Sequence, residues 1–241
     1  MKEKVIEAFN KLAKDYEINV DGGSGYNIYY ERPAMIKLMP TEMNQLTVLD
    51  AGCAAGWYTE QMINKGAQVT AIDISPEMAA ACIRRVGNKA MVHTCDLAGQ
   101  LPFDDESFDL IISSLTLHYL DNWVPTFLEF RRVMKPGGSL IFSVHHPFMD
   151  FKLFDRPDYF AHELLIDVWN KKESGPVEVN FYRRSLQEIV NTTSDHFTIE
   201  RMVEPQPSKE FKDKPEAIDW YNRCYDHLST NPHFLIVKAR K

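Results

Sequence analysis

The sequence predicts a doubly wound α/β fold with a mostly parallel, seven-stranded sheet, formed by all 241 residues as a single domain. Two observations predict this fold. Short apolar segments alternate with helical segments over residues 46–147, and strands separated by helices form parallel sheets that are covered on both faces. The helix starts also carry their own signals, as at residues 75–77, where a serine N-cap precedes a proline and an acid.

The N-terminal segment, residues 1–45, is predicted to form a helical cap on this domain. Apolar side chains recur at helical spacing between residues 3 and 16, which is typical of an amphipathic helix. The glycine-rich segment 21–27 predicts a flexible loop. Residues 29–39 predict a second helix.

Residues 46–147 predict the core of the sheet. Its five strands are expected at 47–52, 68–74, 90–97, 107–115 and 139–146, and its helices at 56–65, 76–86 and 121–134. In open α/β sheets, ligands bind at the carboxyl ends of the strands. We therefore expect a site at the edge where these five strands end.

The segment 148–183 interrupts the alternation and is rich in aromatic residues. We expect an insertion that lies over the site like a lid and covers an apolar or aromatic substrate. The alternative is that its rings only pack the insertion onto the sheet. Residues 184–241 then predict two further strands, at 197–205 and 233–240, and two helices, at 185–193 and 215–228.

Composition restricts the class of protein. The hydrophobic fraction of 44% and the charged fraction of 25% are those of an ordinary globular domain. No apolar run approaches the ~18 residues of a membrane span, and the charged first residues predict a cytoplasmic, unprocessed chain. The net charge of −7 disfavours nucleic acid as a partner. The four cysteines lack metal-ligand spacing, so no metal site is predicted.

The stretch 48–56, VLDAGCAAG, predicts a ligand-binding loop after the first strand. Glycines let a ligand approach the backbone, and the helix that follows offers free N–H groups. Trp57 replaces the third glycine of a dinucleotide fingerprint and Ala54 the second, and no Gly-Lys-Ser/Thr follows, so dinucleotide and P-loop sites are disfavoured.

Acids recur at the strand ends instead. Asp50 lies inside the loop and suits a ligand with a positive end, while Asp73 ends the second strand, where a carboxylate accepts hydrogen bonds from ribose hydroxyls. Asp96 ends the third strand and could accept from the amino group of adenine. A ribose, an adenine and a cationic tail without phosphate describe S-adenosylmethionine.

In four segments the sequence resembles the class I S-adenosylmethionine-dependent methyltransferases, especially the small members that act on metabolites or on modified tRNA. These segments are 48–56, 71–78, 95–120 and 131–144, in the family's order and spacing. The resemblance implies the Rossmann-like methyltransferase fold and S-adenosyl-L-methionine as cofactor. It also implies a methyl transfer that needs no metal.

The resemblance also implies which residues form the cofactor site. The loop that holds the methionine end corresponds to Asp50, Gly52, Cys53, Ala54 and Gly56; Asp73 would bind the ribose; Ile74, Met78, Asp96 and Leu97 would surround the adenine; and Ser113, Ser114 and Leu115 would border the sulfonium. The cofactor carboxylate would be bound from the N-terminal segment by one of Tyr16, Tyr26, Tyr30 and Arg32. The departure from the family is Ala54, where glycine is common.

Histidines supply the candidate catalytic residues. His118 and His145 follow the fourth and fifth strands, and histidine is a common general base near neutral pH. A structural or substrate-shaping role is the alternative for each. His145 and His146 are adjacent on a strand and point to opposite faces, which disfavours a shared metal.

The resulting prediction is an enzyme that methylates a small-molecule acceptor. Three alternatives stay open at this point: an RNA methyltransferase, which would need an extended basic and aromatic groove; a catalytically silent cofactor-binding module; and a dinucleotide-dependent oxidoreductase. Neither the acceptor nor the oligomeric state follows from the sequence.

Overall fold

The computed structural model describes residues 1–241 and contains nine strands. These are β1 (Thr47–Ala51), β2 (Gln68–Asp73), β3 (Ala90–Thr94), β4 (Phe108–Ser114), β5 (Met134–His145), β6 (Glu163–Lys171), β7 (Gly175–Arg183), β8 (Thr198–Val203) and β9 (Phe234–Arg240). Seven of them form one sheet in the order β3-β2-β1-β4-β5-β9-β8, and β6 and β7 form a separate hairpin. Only β9 runs antiparallel to its two neighbours. The predicted fold class is therefore confirmed.

Helices cover both faces of the sheet. They are α1 (Lys2–Asp15), α2 (Asp21–Gly23), α3 (Arg32–Leu38), α4 (Trp57–Asn64), α5 (Pro76–Val86), α6 (Val124–Val133), α7 (Pro147–Leu153), α8 (Leu186–Ser194) and α9 (Ile218–Thr230). One buried layer, which includes Phe127, Phe130 and Phe142, packs on one face, and a second layer, which includes Met35 and Met62, packs on the other. No helix is both long and apolar enough to span a bilayer.

The strand order reverses between β1 and β4, which are neighbours in the sheet although two strands separate them in the chain. The chain connections diverge at such a point and leave a crevice at the carboxyl ends of the strands. Strand β5 begins earlier than its predicted start at residue 139, because Phe108 already pairs with Met134 before a bulge brings Leu110 opposite Ser139.

The prediction of a flexible loop at 21–27 is wrong. This segment contains α2, which continues a π-helical turn at Tyr16–Val20, and a second π-helical turn at Asn27–Glu31 leads into α3. Two contacts hold it: the Asp21 carboxylate pairs with both Arg32 and Arg85, and Gly25 lies against the ring of Trp220. Arg85 and Trp220 are distant in sequence, so the local glycine content could not reveal these contacts.

The segment 148–183 contains most of α7 and the whole β6–β7 hairpin. Asp15, at the end of α1, fixes the hairpin turn. Its carboxylate, only 1% exposed, accepts hydrogen bonds from the backbone N–H groups of Glu173 and Ser174 and from the hydroxyl of Ser174, at 2.9, 2.9 and 2.6 Å. The helical cap and the hairpin are therefore joined over the sheet edge. Their assignment as cap and lid stays a prediction.

Candidate active site

A cavity of about 670 Å³ lies at the carboxyl ends of strands β1 to β5. Its floor is formed by the segments that follow these strands, and its walls come from α1, from the helical turns before α3 and from the β6–β7 hairpin. The volume is in the range of small-molecule and cofactor sites. Thirteen of the sequence-predicted residues line it: Tyr16, Tyr26, Arg32, Gly52, Cys53, Ala54, Asp73, Ile74, Asp96, Leu97, Ser114, Leu115 and His145.

The loop after β1 is shaped by backbone conformations that favour glycine. Gly52 has φ +90°, and a Cβ there would lie 2.2 Å from the Thr116 hydroxyl. Gly56 has φ +81°, and a Cβ there would lie 2.6 Å from the sulfur of Cys82. The chain can therefore make this turn, close against its neighbours, only with glycine at both positions. Gly56 caps α4 and lies outside the cavity lining.

Ala54 adopts φ +47°, in the left-handed region that strains a residue with a Cβ. Its N–H donates to the Asp73 carboxylate at 2.9 Å, which holds the strained conformation in place. The departure noted in the sequence thus occurs at a position whose backbone favours glycine.

Asp73 lies at the end of β2, where it lines the cavity. Its carboxylate accepts from the N–H groups of Ala54 and Ser75, both at 2.9 Å, and is only 9% exposed. Burial raises the pKa of Asp73 to about 6, and the two backbone hydrogen bonds oppose that shift. Each oxygen has a further lone pair, so the carboxylate can accept hydrogen bonds from a ligand.

Asp96 lies beyond the end of β3, on the same edge. One oxygen accepts from the N–H of Ala98 at 2.9 Å, and the other pairs with the Lys2 ammonium at 2.8 Å. The backbone around Leu97 and the side chain of Ile74 line the cavity between Asp96 and Asp73. Lys2 therefore brings α1 against this end of the cavity.

Asp50 does not reach the cavity, although the sequence pointed to it as the acid for a positive ligand group. It is 1% exposed and accepts from the Thr59 hydroxyl at 2.6 Å, beneath the loop. Burial raises the pKa of Asp50 to about 7, with a further rise from the nearby Asp73 charge. Its contact with Thr59 joins β1 to α4.

Glu31 is the acid that faces the cavity in that region, and sequence reasoning missed it. It is 1% exposed, and its carboxylate accepts from the hydroxyls of Ser143 at 2.6 Å, Tyr58 at 2.7 Å and Ser114 at 2.8 Å. Burial raises the pKa of Glu31, and the three hydroxyl donors oppose the shift. The donors come from β5, α4 and β4, so no local pattern could have revealed the cluster.

Cationic and phenolic groups lie next to Glu31. The Arg32 guanidinium stacks on the Trp57 ring, 4.0 Å from its centroid, and pairs with Asp21 at 2.8 Å. Tyr16 lines the same part of the cavity, and burial raises its pKa to about 12, so its hydroxyl is a donor at neutral pH. Tyr26 also lines the cavity.

Tyr30 and Met78 lie outside the cavity lining. Tyr30 is fully buried, and its hydroxyl accepts from the N–H of His233 at 3.1 Å. Met78 is also fully buried, packed with Leu12 of α1 and Val179 of β7. Both residues support the elements around the cavity.

The two candidate catalytic histidines stack on each other, with ring centroids 4.1 Å apart. His118 is 3% exposed, lies outside the cavity lining, and has no hydrogen-bond partner for either ring nitrogen. Burial holds its pKa well below the usual range, so His118 stays neutral. His145 lines the cavity, and its Nδ1 lies 3.4 Å from the carboxylate of Asp150.

The polar groups of the cavity fit S-adenosylmethionine. Ribose hydroxyls and an adenine amino group need acceptors, which Asp73 and Asp96 supply at neighbouring strand ends. The amino-acid end of the cofactor needs an acceptor for its ammonium and a cation for its carboxylate, which Glu31 and Arg32 supply. These groups match the donors and acceptors of the cofactor in kind.

Comparison with known proteins identifies the enzyme class. The family described as "Methyltransferase domain" matches residues 49–142. The chain is 32% identical over 202 residues to a demethylmenaquinone methyltransferase of Tropheryma whipplei, with 82% of each chain covered. It is 37% identical over 147 residues to a malonyl-[acyl-carrier protein] O-methyltransferase of Erwinia billingiae, of which it spans about half, 53%, while 59% of this chain is covered.

A solved structure gives the same result. The S-adenosylmethionine-dependent methyltransferase from Mesorhizobium loti superposes with a TM-score of 0.64 at 27% identity, covering 91% of this chain and 99% of the other. Sequence, fold and relatives agree on the enzyme class and on S-adenosyl-L-methionine as the cofactor. The protein belongs to the class I S-adenosylmethionine-dependent methyltransferases.

Proposed function

We propose that the protein transfers a methyl group to a small-molecule acceptor that binds beside the cofactor, under the β6–β7 hairpin. The observation that carries this proposal is one cavity of about 670 Å³ that is shared by the glycine loop and the aromatic hairpin. Such a volume suits two small ligands side by side better than a macromolecular surface.

In this proposal the floor of the cavity binds the cofactor. Asp73 accepts from the ribose hydroxyls, while Asp96 and the N–H of Leu97 bind the adenine edge. The loop around Gly52 takes the methionine end, and glycine lets this loop pack against Thr116, where a Cβ would collide with the hydroxyl. Ile74 packs against the adenine ring.

The amino-acid end is assigned to the charged groups of the cap. Glu31 would accept from the ammonium group and Arg32 would pair with the carboxylate, with the Tyr16 hydroxyl as a further donor. The Trp57 ring fixes the guanidinium plane of Arg32. Glu31 therefore takes the role that the sequence suggested for Asp50.

When bound, the cofactor supplies a methyl group activated by the positive charge on sulfur. The protein's own contribution is to hold the acceptor in line with this group and to exclude water, since methyl transfer is an in-line displacement. The cavity walls formed by α1 and the hairpin would shield both the cofactor end and the acceptor end from water.

The acceptor end is aromatic. Phe154, Trp169, Phe181 and Tyr182 line it, and such a wall favours an apolar or planar molecule. The named relatives include a demethylmenaquinone methyltransferase and malonyl-[acyl-carrier protein] O-methyltransferases. The acceptors in these names differ from each other, so the names support methyl transfer to a small molecule without specifying which one.

Calorimetric titration with S-adenosylmethionine, S-adenosylhomocysteine and NAD tests the cofactor assignment. We expect both adenosyl ligands to bind and NAD not to bind. Replacing Asp73 by Ala should weaken adenosyl binding by roughly 10- to 100-fold, as expected for loss of a hydrogen bond to a charged group. The exposed Asp213 provides the control, Asp213→Ala. Unchanged affinity in a folded Asp73→Ala protein would contradict the assignment.

A second experiment tests the size of the acceptor. Purified protein and S-adenosylmethionine are incubated with a library of small hydroxyl, amine and carboxylate compounds, and separately with total tRNA, while S-adenosylhomocysteine release is measured. Release with small compounds alone supports the proposal. Release that needs tRNA would contradict it.

A further inference from the structure

The acceptor end of the cavity contains a histidine–aspartate pair. Nδ1 of His145 lies 3.4 Å from Oδ1 of Asp150, and both residues line the cavity. Asp150 is in the first turn of α7 and is only 5% exposed. Nδ1 of His145 is buried and has no hydrogen bond at this separation, so a small rotation of either side chain would give it its missing partner.

His145 is surrounded by one carboxyl group, two further imidazoles and two phenyl rings. The groups that face it are Asp150 from α7, His118 from the turn after β4 and His233 from the residue before β9, together with the rings of Phe181 and Phe234. Burial lowers the pKa of His233 to about 3 and that of His118 well below its usual range, so both stay neutral.

The charges at this end of the cavity disfavour an anionic acceptor. Asp121, Asp150 and Asp167 line it, and the nearest cavity-lining cation of the hairpin is Lys171, which lies 5.1 Å from the Trp169 ring centroid. Burial lowers the pKa of Lys171 from its usual range. An acceptor with a free carboxylate would meet the carboxylates of Asp150 and Asp167, whereas Asp121 is 69% exposed, pairs with His162 at 3.0 Å and adds little repulsion.

We propose that Asp150 positions His145 as the general base for a neutral aromatic acceptor whose nucleophilic oxygen or nitrogen carries a proton. The inference rests on the proposed function and names the acceptor class for the same site. The Nδ1–H of His145 donates a hydrogen bond to the Asp150 carboxylate, so that Nε2 carries the free lone pair. Phe154 and Phe181 supply the wall against which the acceptor ring packs.

Atoms and electrons balance in the proposed transfer. The acceptor oxygen or nitrogen forms a bond to the methyl carbon as the carbon–sulfur bond breaks with its electron pair left on sulfur. The acceptor proton moves to Nε2 of His145, and the imidazolium that forms is stabilised by the Asp150 carboxylate. No oxidant or reductant is needed.

Histidine NMR tests the role of Asp150 without any acceptor. Protein labelled with ¹⁵N-histidine and saturated with S-adenosylhomocysteine is studied at a pH where the ring is neutral, and His145→Gln assigns the resonance. We expect the Nδ1–H tautomer in the wild type, loss of that preference in Asp150→Ala, and its recovery in Asp150→Asn, which keeps an acceptor oxygen.

Asp167→Ala is the matched control, because it removes an equal charge from the same cavity without touching His145. It should leave the tautomer unchanged. A role of Asp150 in stabilising α7 alone would change the melting temperature but not the tautomer. The positioning role is overturned if folded Asp150→Ala keeps the wild-type tautomer, or if the wild type has its proton on Nε2.

Two probes test the acceptor class. Phenol and benzoate are titrated into the S-adenosylhomocysteine-saturated protein while the His145 resonance is followed. We expect phenol to shift it at a concentration at least ~5-fold lower than benzoate, since benzoate meets like charges. Preference for benzoate, or no shift with either probe, overturns the acceptor class.

This outcome is distinguishable from failure of the proposed function. If the adenosyl ligands do not bind at all, the function fails whatever the tautomer of His145. If they bind and Asp150 has no influence on that tautomer, only the inference about the pair fails.

Discussion

The cofactor half and the acceptor half of the cavity are held in different ways. The cofactor half depends on backbone conformation and on hydrogen bonds to carboxylates, such as the one that the Ala54 N–H donates to Asp73. The acceptor half is assembled by packing, for example of His145 on Phe181, whose ring centroids are 4.7 Å apart. Changes in the first half should alter cofactor affinity, whereas changes in the second should alter stability and acceptor binding.

The largest expected effect concerns Asp50 and pH. Because burial raises its folded-state pKa to about 7, Asp50 favours folding below about pH 4, and this contribution is lost as the pH rises from about 4 to about 7. The wild type should therefore lose stability over this window, by on the order of 4 kcal/mol from this group. Asp50→Asn should lack that loss.

Urea unfolding at several pH values measures this difference, with exposed Asp213→Asn as the control. Parallel curves for the wild type and Asp50→Asn would show that the Asp50 carboxyl titrates normally. That result would mean that Asp50, beneath the loop, does not contribute to the pH dependence of the unfolding free energy.

Phe181→Ala should cost about 3 kcal/mol of unfolding free energy, because the ring is 1% exposed and its loss leaves a void beside His145. Affinity for S-adenosylhomocysteine should stay within about twofold if the two halves are independent. The matched control is Phe160→Ala, which removes a ring that is 70% exposed on the same insertion. A large fall in cofactor affinity for Phe181→Ala would break the distinction between the halves.

Gly52→Ala should mainly weaken cofactor binding, in contrast to Phe181→Ala, which should mainly lower the unfolding free energy. The left-handed conformation costs about 1–2 kcal/mol with a Cβ, and the close approach to Thr116 forces the loop to move. We expect at least ~10-fold weaker binding of S-adenosylmethionine in calorimetry. Gly22→Ala, at a glycine with nothing within 4 Å of the added Cβ, should bind normally. If Gly52→Ala and Gly22→Ala bound S-adenosylmethionine with equal affinity, the proposed role of the loop after β1 in cofactor binding would be contradicted.

The smallest effect is expected for Ala54→Gly. Relief of the strain at φ +47° should stabilise the folded state, and the greater freedom of glycine in the unfolded chain offsets part of the gain. The net change in thermal unfolding should be a stabilisation of less than about 1 kcal/mol. A clear destabilisation would mean that packing of the Ala54 methyl group stabilises the folded loop.

How much of the site the sequence could predict depends on where the partners of each residue lie along the chain. The positions of the first five strands, the glycine loop, and the acids Asp73 and Asp96 at the strand ends follow from periodicity and motif spacing along the chain. Glu31 was not predicted because its three hydroxyl donors come from three separate elements. One of these donors, Ser143, is 112 residues away. The pairing of His145 with Asp150 needs the turn into α7, whose geometry no pattern encodes.

Asp50 shows the limit of a motif. The motif correctly marks where the loop begins, but it does not tell which way a side chain points at the end of a strand. The carboxylate turned towards Thr59 and away from the cavity. The loop at 21–27 failed for a related reason, since its order depends on contacts with Arg85 and Trp220 that lie far along the chain.

The three hydrogen bonds from Asp15 to the hairpin turn have a kinetic consequence. They join α1 to the hairpin, and we predict that the two segments open together when ligands exchange with solvent. Loosening this joint with Asp15→Ala should speed release of S-adenosylhomocysteine in stopped-flow measurements.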